Sequence, residues 1–225
     1  MAGLEVVTGP TQEPITINSI RDHLRLDELV DDIQINGYII AARQWAENYT
    51  GRFFIQRTMR QWYDARSNGF HNLIEGTVTG HQNYFTSSQH LEVAATPIIS
   101  IDSIKYYNDA GTESTWSADN YYADTVSDIG RIMLKDGGSF PTDLRKLNGL
   151  AVNFTAGYGA TAATVPQAIK IAIMQYITFL YEHRGEFERF PPPQPPAVLK
   201  TLLNPYKVMR FSASPYNQLV TSGIA

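Results

Sequence analysis

The spacing of apolar residues along the chain predicts helices at both ends and strands between them. Near each end, apolar residues recur every three or four positions, which is the repeat of a helix with one buried face. Between residues 53 and 160 the repeat shortens to two over several short runs, as in half-buried strands. The pattern therefore predicts an α+β fold: a small bundle of N- and C-terminal helices, an inserted antiparallel β region and an extended C-terminal tail.

Two helices are predicted before the β region. The first spans residues 17–24 and follows Thr16, whose hydroxyl can accept a hydrogen bond from an amide of the first turn. The second begins in the acidic run 27–32 and ends at Gly51, because glycine readily adopts the left-handed backbone that follows a helix. Its apolar stripe consists of Ile35, Ile39, Ala42, Ala46 and Tyr49, and Tyr38 and Trp45 widen it.

Seven strands are predicted in the β region. They cover residues 56–65, 91–95, 98–107, 113–116, 121–124, 131–134 and 150–155. The alternation slips between Ile101 and Ile104, which indicates a β-bulge. Residues 66–90 are polar and contain three glycines, so they are predicted to form a long hairpin or a projecting loop.

The last predicted strand leads into a long C-terminal helix. Gly157 and Gly159 indicate a turn, and Pro166 suits a helix start because its missing N–H costs nothing there. The helix reaches residue 184, and its stripe consists of Ile169, Ala172, Ile173, Tyr176, Ile177 and Leu180. The proline-rich run 191–196 is predicted to be a stiff linker, with an SH3-type ligand as the alternative, and a short helix follows over 197–203.

These elements divide the chain into four parts. They are residues 1–52 with an N-terminal strand and helices of the bundle, 53–160 with the β region and the projecting loop 66–90, 161–204 with the C-terminal helices, and the C-terminal arm 205–225. The arm has few apolar residues and cannot form a core of its own. We therefore expect it to be disordered or to dock on a partner.

Composition narrows the classes of function. The net charge of −4 does not favour binding to nucleic acid or to an anionic membrane. The absence of cysteine excludes disulfides and thiolate metal sites. The N-terminus lacks the pattern of a signal peptide, and the most apolar run, 168–181, is too short to span a bilayer. We therefore expect a soluble protein without a leader.

No motif for catalysis, cofactor binding or metal binding is present. Gly157-Tyr158-Gly159 lacks the lysine and the Ser/Thr of a phosphate loop, so a simple turn is the better interpretation. The acidic run 27–32 suits the positive end of a helix dipole better than a calcium loop. None of the five histidines, His23, His71, His81, His90 and His183, has a partner at helical zinc-site spacing. His71, His81 and His90 share the projecting segment, and a metal site among them is the alternative to solvated loop residues.

Two further patterns concern partners. Positive charge is concentrated in Arg43, Arg52, Arg57, Arg60 and Arg66. These arginines predict either salt bridges, within the chain or to a neighbouring subunit, or a groove for nucleic acid. Both long helices carry more apolar surface than one stripe requires, which indicates a subunit interface. The residues predicted for that interface are Tyr38, Trp45, Ile171, Met174 and Phe179.

The order of these signals resembles a known family. EPITINSIRDHLRLD precedes AARQWAENYTGR, then come ATPIISIDSIKYYNDAGTESTWSADNYYAD and GRIML, and last VNFTAGYG, VPQAIKIAIMQYITFLYEHR and LLNPYKV. Over roughly residues 10–208 this set is similar to the head–tail connector (adaptor) family of long-tailed bacteriophages, prophages and gene transfer agents. YTGR, FTAGYG and VPQAIK are its most specific parts. The chain departs from the family in lacking a glutamate at position 19, in segment 66–90 and in its long tail.

The resemblance implies a structural virion protein without enzymatic activity or cofactors. Such proteins are assembled in the host cytoplasm and form rings of twelve subunits under the portal, in the neck between head and tail. DNA passes through the ring without specific binding, and a stopper or tail-completion protein follows. The C-terminal arm reaches the portal in this family, and the residues predicted to bind it are Tyr206, Val208, Met209, Phe211, Tyr216 and Leu219. The alternatives are a stopper or tail-completion protein, or a DNA-binding accessory protein that uses the arginine-rich stretch.

Overall fold

The computed structural model describes residues 3–26, 32–64, 90–184 and 194–208. Its helices are α1 (Ile17–Leu24), α2 (Asp32–Thr50), α3 (Gln167–Glu182) and α4 (Ala197–Leu203). Its strands are β1 (Leu4–Thr8), β2 (Arg57–Tyr63), β3 (His90–Val93), β4 (Ile98–Tyr107), β5 (Glu113–Trp116), β6 (Tyr121–Asp124), β7 (Gly130–Leu134) and β8 (Leu150–Ala156). The predicted α+β class is confirmed.

The helices form one unit in which α2 packs against α3, and α4 packs on α3. The predicted start of α1 is confirmed, because the Ser19 amide donates to the Thr16 hydroxyl over 3.2 Å. The predicted end of α2 is also confirmed, since Gly51 has a φ of 70°. The core of this unit contains Ile15, Ile20, Ile35, Ile39, Ala42, Ala46, Phe54, Ile55, Val165, Ile169, Ala172, Ile173, Ile177 and Leu203.

A five-stranded antiparallel sheet in the order β1-β2-β8-β4-β5 forms most of the second unit. The predicted bulge is confirmed, because the register of β4 against β8 shifts between Ile101 and Ser103.

The central strand of this sheet, β8, is more buried than its alternation predicts, since Ala151 and Thr155 are buried as well. Ala151 lies between Trp62 and Lys105 of the neighbouring strands, and larger side chains on both sides cover so small a residue.

A smaller three-stranded sheet, in the order β3-β7-β6, completes the second core. The core joins residues from both sheets: Met59, Tyr63, Leu91, Val93, Ala95, Ile98, Ile104, Trp116, Tyr121, Ile132, Leu150, Val152, Phe154 and Ala156. The division into two sheets could not be read from alternation along the chain. Loop 66–90 lies outside the described residues except for the backbone of His90, the first residue of β3.

The position of β1 differs from the predicted division of the chain. The predicted first part, residues 1–52, groups an N-terminal strand with the helices, but β1 is an edge strand of the five-stranded sheet and pairs with β2. The backbone N–H and C=O groups of β1 need hydrogen-bond partners, which β2 offers and a helix does not. The Trp62 amide extends this pairing by donating to the Gly3 carbonyl over 2.8 Å. The N-terminal segment therefore links both units.

The two glycines before α3 lie where the units meet. The Gly157 amide donates to the Pro97 carbonyl over 2.8 Å, and the Gln56 amide donates to the Gly159 carbonyl over 2.9 Å. Gly157 has a φ of 133°, and a Cβ there would lie only 2.6 Å from the Gln56 nitrogen. Close backbone approach, rather than a phosphate ligand, therefore explains glycine at this position.

Candidate assembly surfaces

The arginine-rich stretch contributes to a buried ion network between α2 and β2. Arg43 donates to Glu13 over 2.6 Å and to Glu47 over 2.9 Å. Arg57 donates to Glu47 over 2.5 Å, and the Phe54 amide donates to the same carboxylate over 2.9 Å. Glu47 therefore ties the helical unit to the start of β2.

Burial and carboxylates oppose each other in setting the pKa values of these arginines. Burial lowers the pKa of Arg43, but the hydrogen bonds and charges of Glu13 and Glu47 outweigh it, so its pKa is raised. Burial also lowers the pKa of Arg57. Arg57 shares Glu47 with Arg43, and the Glu47 carboxylate does not fully offset the effect of burial, so the pKa of Arg57 is lowered. Both guanidinium groups remain charged at any pH at which proteins are folded.

The other described arginines of the stretch also contact their own chain. Arg52 donates to Asp128 over 2.8 Å, and Arg60 donates to the Asn153 side chain over 2.7 Å and lies over the Trp62 ring. Arg66 lies outside the described residues. These contacts support the interpretation as salt bridges and hydrogen bonds within the chain over that of a nucleic-acid groove.

An open cleft of about 560 Å³ lies beside this network. Its lining is mostly polar and includes Arg43, Glu47, Arg52 and Arg57. Each of these side chains already has a partner of opposite charge within the chain. The cleft therefore offers no unpaired guanidinium for an anionic ligand among these residues.

The five residues predicted for a subunit interface differ in how far their own chain covers them. Tyr38, Trp45 and Met174 are partly buried against the helical core, and Trp45 stacks on Tyr176 with ring centroids 4.5 Å apart. Phe179 is only 8% exposed. Ile171 is 38% exposed on α3 and is the most accessible of the five.

The N-terminal strand, β1, is an exposed apolar strand, and its exposure was not predicted from the sequence. All five residues of β1 are exposed, and Leu4, Val6 and Val7 are between 43% and 51% exposed. Because β1 is the edge of its sheet, one side of its backbone is unpaired in the part of the chain that the structure describes. The three β-branched residues of LEVVT favour a strand, but the run is too short for its burial to be inferred.

The described part of the predicted arm lies against its own chain. Tyr206 packs against the helical core, and the Val208 amide donates to the Thr50 carbonyl over 2.8 Å. The other four residues predicted to bind the portal lie outside the described residues: Met209, Phe211, Tyr216 and Leu219. Tyr206 and Val208 therefore lie against the fold, although the predicted arm begins at residue 205.

The described ranges contain no candidate metal centre. No group of three or more His, Asp or Glu is placed to hold a metal ion there. The acidic residues 27–31 and His71 and His81 lie outside these ranges. No helix in the described part of the chain is both long and apolar enough to cross a membrane.

Comparison with known proteins adds to this geometry. A family model described as phage gp6-like head-tail connector protein matches residues 14–129, just over half of the chain. The match begins before α1 and ends in the loop between β6 and β7, so it covers α1, α2 and most of the β region. No curated protein matches the chain.

Solved structures from gene transfer agent particles share the fold over nearly the whole chain. The neck of an empty particle, computed with C6 symmetry, contains a chain that is 20% identical, with a TM-score of 0.68 and coverage of 92% of this chain and 96% of that chain. The neck of the native particle, computed with C12 symmetry, gives the same values. The virion of a native particle gives a TM-score of 0.67 at 20% identity, with the same coverage.

Proposed function

The chain belongs to the phage gp6-like head-tail connector family, and from this premise we propose that it is the adaptor of a virion neck, a ring under the portal that extends the DNA channel and joins the capsid to the tail. The family match is the observation that carries the proposal. The fold it shares with neck proteins of gene transfer agents over 92% of its length supports it.

A ring of identical subunits is the second part of the proposal. Related neck structures were computed with C6 and C12 symmetry, which supports a ring of twelve. A closed ring needs two different complementary faces on each subunit. Our candidates are the outer faces of α2 and α3, with a subunit interface that is centred on Ile171, the most accessible side chain of the set, and that comprises Tyr38, Trp45, Ile171, Met174 and Phe179.

The third part concerns the portal. We assign portal binding to the arm, with Tyr206 and Val208 at its root and Met209, Phe211, Tyr216 and Leu219 beyond it. Ordering a chain segment on a partner costs entropy, and many arms in one ring offset this cost through avidity. The opposite face of the ring would contact a stopper or tail-completion protein.

The fourth part concerns the DNA in the channel. The chain has a net charge of −4, and its described arginines between 43 and 60 have partners within the chain. Because DNA binding depends on cationic side chains that pair with phosphates, we expect such a subunit to bind passing DNA weakly. The role is therefore structural, without catalysis or cofactors, in the neck of a particle that is assembled in the bacterial cytoplasm.

A truncation tests the assignment of the arm. Residues 209–225 are deleted, and the shortened and full-length proteins are incubated with the portal protein and pulled down. We expect the shortened protein to fold and to lose portal binding. If it binds the portal as well as the full-length protein, the arm has no such role, and binding of full-length protein to another neck ring but not to the portal would favour the stopper.

A further inference from the structure

The segment Tyr49–Arg52, with the sequence YTGR, closes α2, and three of its four residues contact the root of the arm: Tyr49, Thr50 and Arg52. The root, residues 204–208, includes a short 3₁₀ turn, Asn204–Tyr206, directly after α4. The two segments are more than 150 positions apart in sequence. Contacts from three of four consecutive residues to so distant a segment indicate a specific seat for the root.

The hydrogen bonds run from one end of the segment to the other. The Tyr49 hydroxyl donates to the Asn204 side chain over 2.6 Å. The Thr50 carbonyl, which the helix end leaves free, accepts from the Val208 amide over 2.8 Å. The arm root therefore caps α2, and one unsatisfied group of the helix is used to hold it.

Gly51 brings the two backbones close together. Its φ of 70° turns the chain out of the helix directly beside Val208. A Cβ on Gly51 would lie 3.6 Å from the Val208 Cβ, an ordinary packing distance, so the left-handed backbone rather than lack of space favours glycine here. The ammonium group of Lys207 adds a contact 5.0 Å from the centre of the Tyr49 ring.

Arg52 joins three parts of the molecule. Its Nε donates to the Tyr206 carbonyl over 2.7 Å, and its Nη2 donates to Asp128 in the loop between β6 and β7 over 2.8 Å. Its guanidinium also acts on Tyr158: burial raises the pKa of that phenol, and Arg52 partly opposes the rise. The Arg52 side chain is mostly buried, although Asp128 is 72% exposed. The Tyr206 carbonyl and Asp128 hold the guanidinium group from two sides.

We propose that Tyr49–Arg52 is the seat that sets where and in which direction the arm leaves the subunit, and that Arg52 is its positioning residue for portal binding. This inference rests on the proposed role of the arm. A root held at one point lowers the entropy cost of binding and raises the effective concentration of the arm at the portal. The seat thereby contributes to affinity without touching the portal.

Hydrogen exchange of the isolated protein tests the seat without any partner. The variant Arg52→Gln removes the charged donor to the Tyr206 carbonyl. We expect exchange of the Val208 amide to become about tenfold faster or more, since a hydrogen bond from a charged group to the neighbouring carbonyl is lost. Unchanged exchange at Val208 would overturn the proposed seat.

Arg145→Gln is the matched control. Arg145 is also partly buried, its Nε donates to a backbone carbonyl, that of Asn148, over 3.0 Å, and its guanidinium lies over the Tyr107 ring. It contacts no residue of the arm root in these interactions. Exchange at Val208 should stay at the wild-type rate in this variant, and an equal acceleration would show that the effect of Arg52 is not local.

Affinity for the portal protein tests positioning. We expect Arg52→Gln to weaken portal binding about tenfold while the ring still forms, and Arg52→Lys to restore part of the loss because it keeps one charged donor. Faster Val208 exchange with unchanged portal affinity would overturn the positioning role. The deletion of 209–225 decides separately whether the arm binds the portal, so failure of the seat and failure of the proposed function are distinguishable.

Discussion

At the scale of single residues, one carboxylate connects the two units of the fold. Glu47 accepts hydrogen bonds from Arg43, Arg57 and the Phe54 amide, and all three donors are fixed by the surrounding packing. A buried ion pair is weak evidence for stability as such, but breaking it leaves uncompensated charge in the interior. Removing one member of this network should therefore lower the free energy of unfolding far more than breaking a surface ion pair would.

The variant Glu47→Ala tests this expectation. It leaves two buried guanidinium groups without their shared acceptor, so we expect a loss of about 3–5 kcal/mol in the free energy of unfolding. Urea denaturation followed by circular dichroism measures it. Glu113→Ala is the control: Glu113 pairs with Lys105 on an exposed surface and should change stability little. Similar losses in both variants would contradict the special role of Glu47.

Two glycines in and beside α2 should respond to alanine with opposite signs. Gly51 has a left-handed backbone, so Gly51→Ala should destabilise the protein by about 1 kcal/mol or more. Gly37 lies within the helix, and nothing would lie within 4 Å of an added Cβ, so Gly37→Ala should stabilise it by about 0.5–1 kcal/mol. Thermal unfolding of both variants compares the signs, and stabilisation by Gly51→Ala would refute the assigned end of α2.

At the scale of elements, periodicity predicted local structure well and pairing poorly. The bounds predicted for α1, α4, β4, β5 and β6 agree with the structure, since caps, turns and alternation are local signals. The pairing of β1 with β2 depends on residues 50 or more positions away, and no local pattern in the sequence indicates such pairing. The same limit hid the division of the strands into two sheets.

The candidate interface shows the same limit. A helical pattern identifies Phe179 and Ile171 as apolar positions outside the main stripe, but it does not say what covers them. Phe179 is buried by its own chain, where its ring lies 4.6 Å from that of His183, whereas Ile171 remains exposed. The assignment of YTGR to the arm root likewise needed contacts between distant segments.

Two neighbouring isoleucines on α3 allow a direct test of the helix packing. Ile173 is buried in the core of the helical unit, so Ile173→Ala should lower the free energy of unfolding by about 2–5 kcal/mol. Ile171→Ala, two positions earlier on an exposed face, should cost less than about 1 kcal/mol. Chemical denaturation of both variants gives the difference, and equal costs would show that α3 is oriented differently.

At the scale of the whole molecule, the proposed subunit contact is centred on Ile171. Ile171→Asp places a charge on the proposed contact, where it would be buried without a partner. We expect the subunit to keep its unfolding temperature and the ring to dissociate, as measured by mass photometry. Leu147→Asp, at an exposed site outside the proposed contact, is the control. A ring that survives Ile171→Asp would exclude Ile171 from the interface.

The whole account depends on a ring that joins the portal. Electron microscopy of the full-length protein mixed with the portal protein of the same particle tests this claim most directly. The expected result is a closed ring of twelve subunits, coaxial with the portal and in contact with it, with an open channel along the common axis. Particles in which the portal stays bare, while this protein remains as single subunits or as separate rings, would contradict the proposed function.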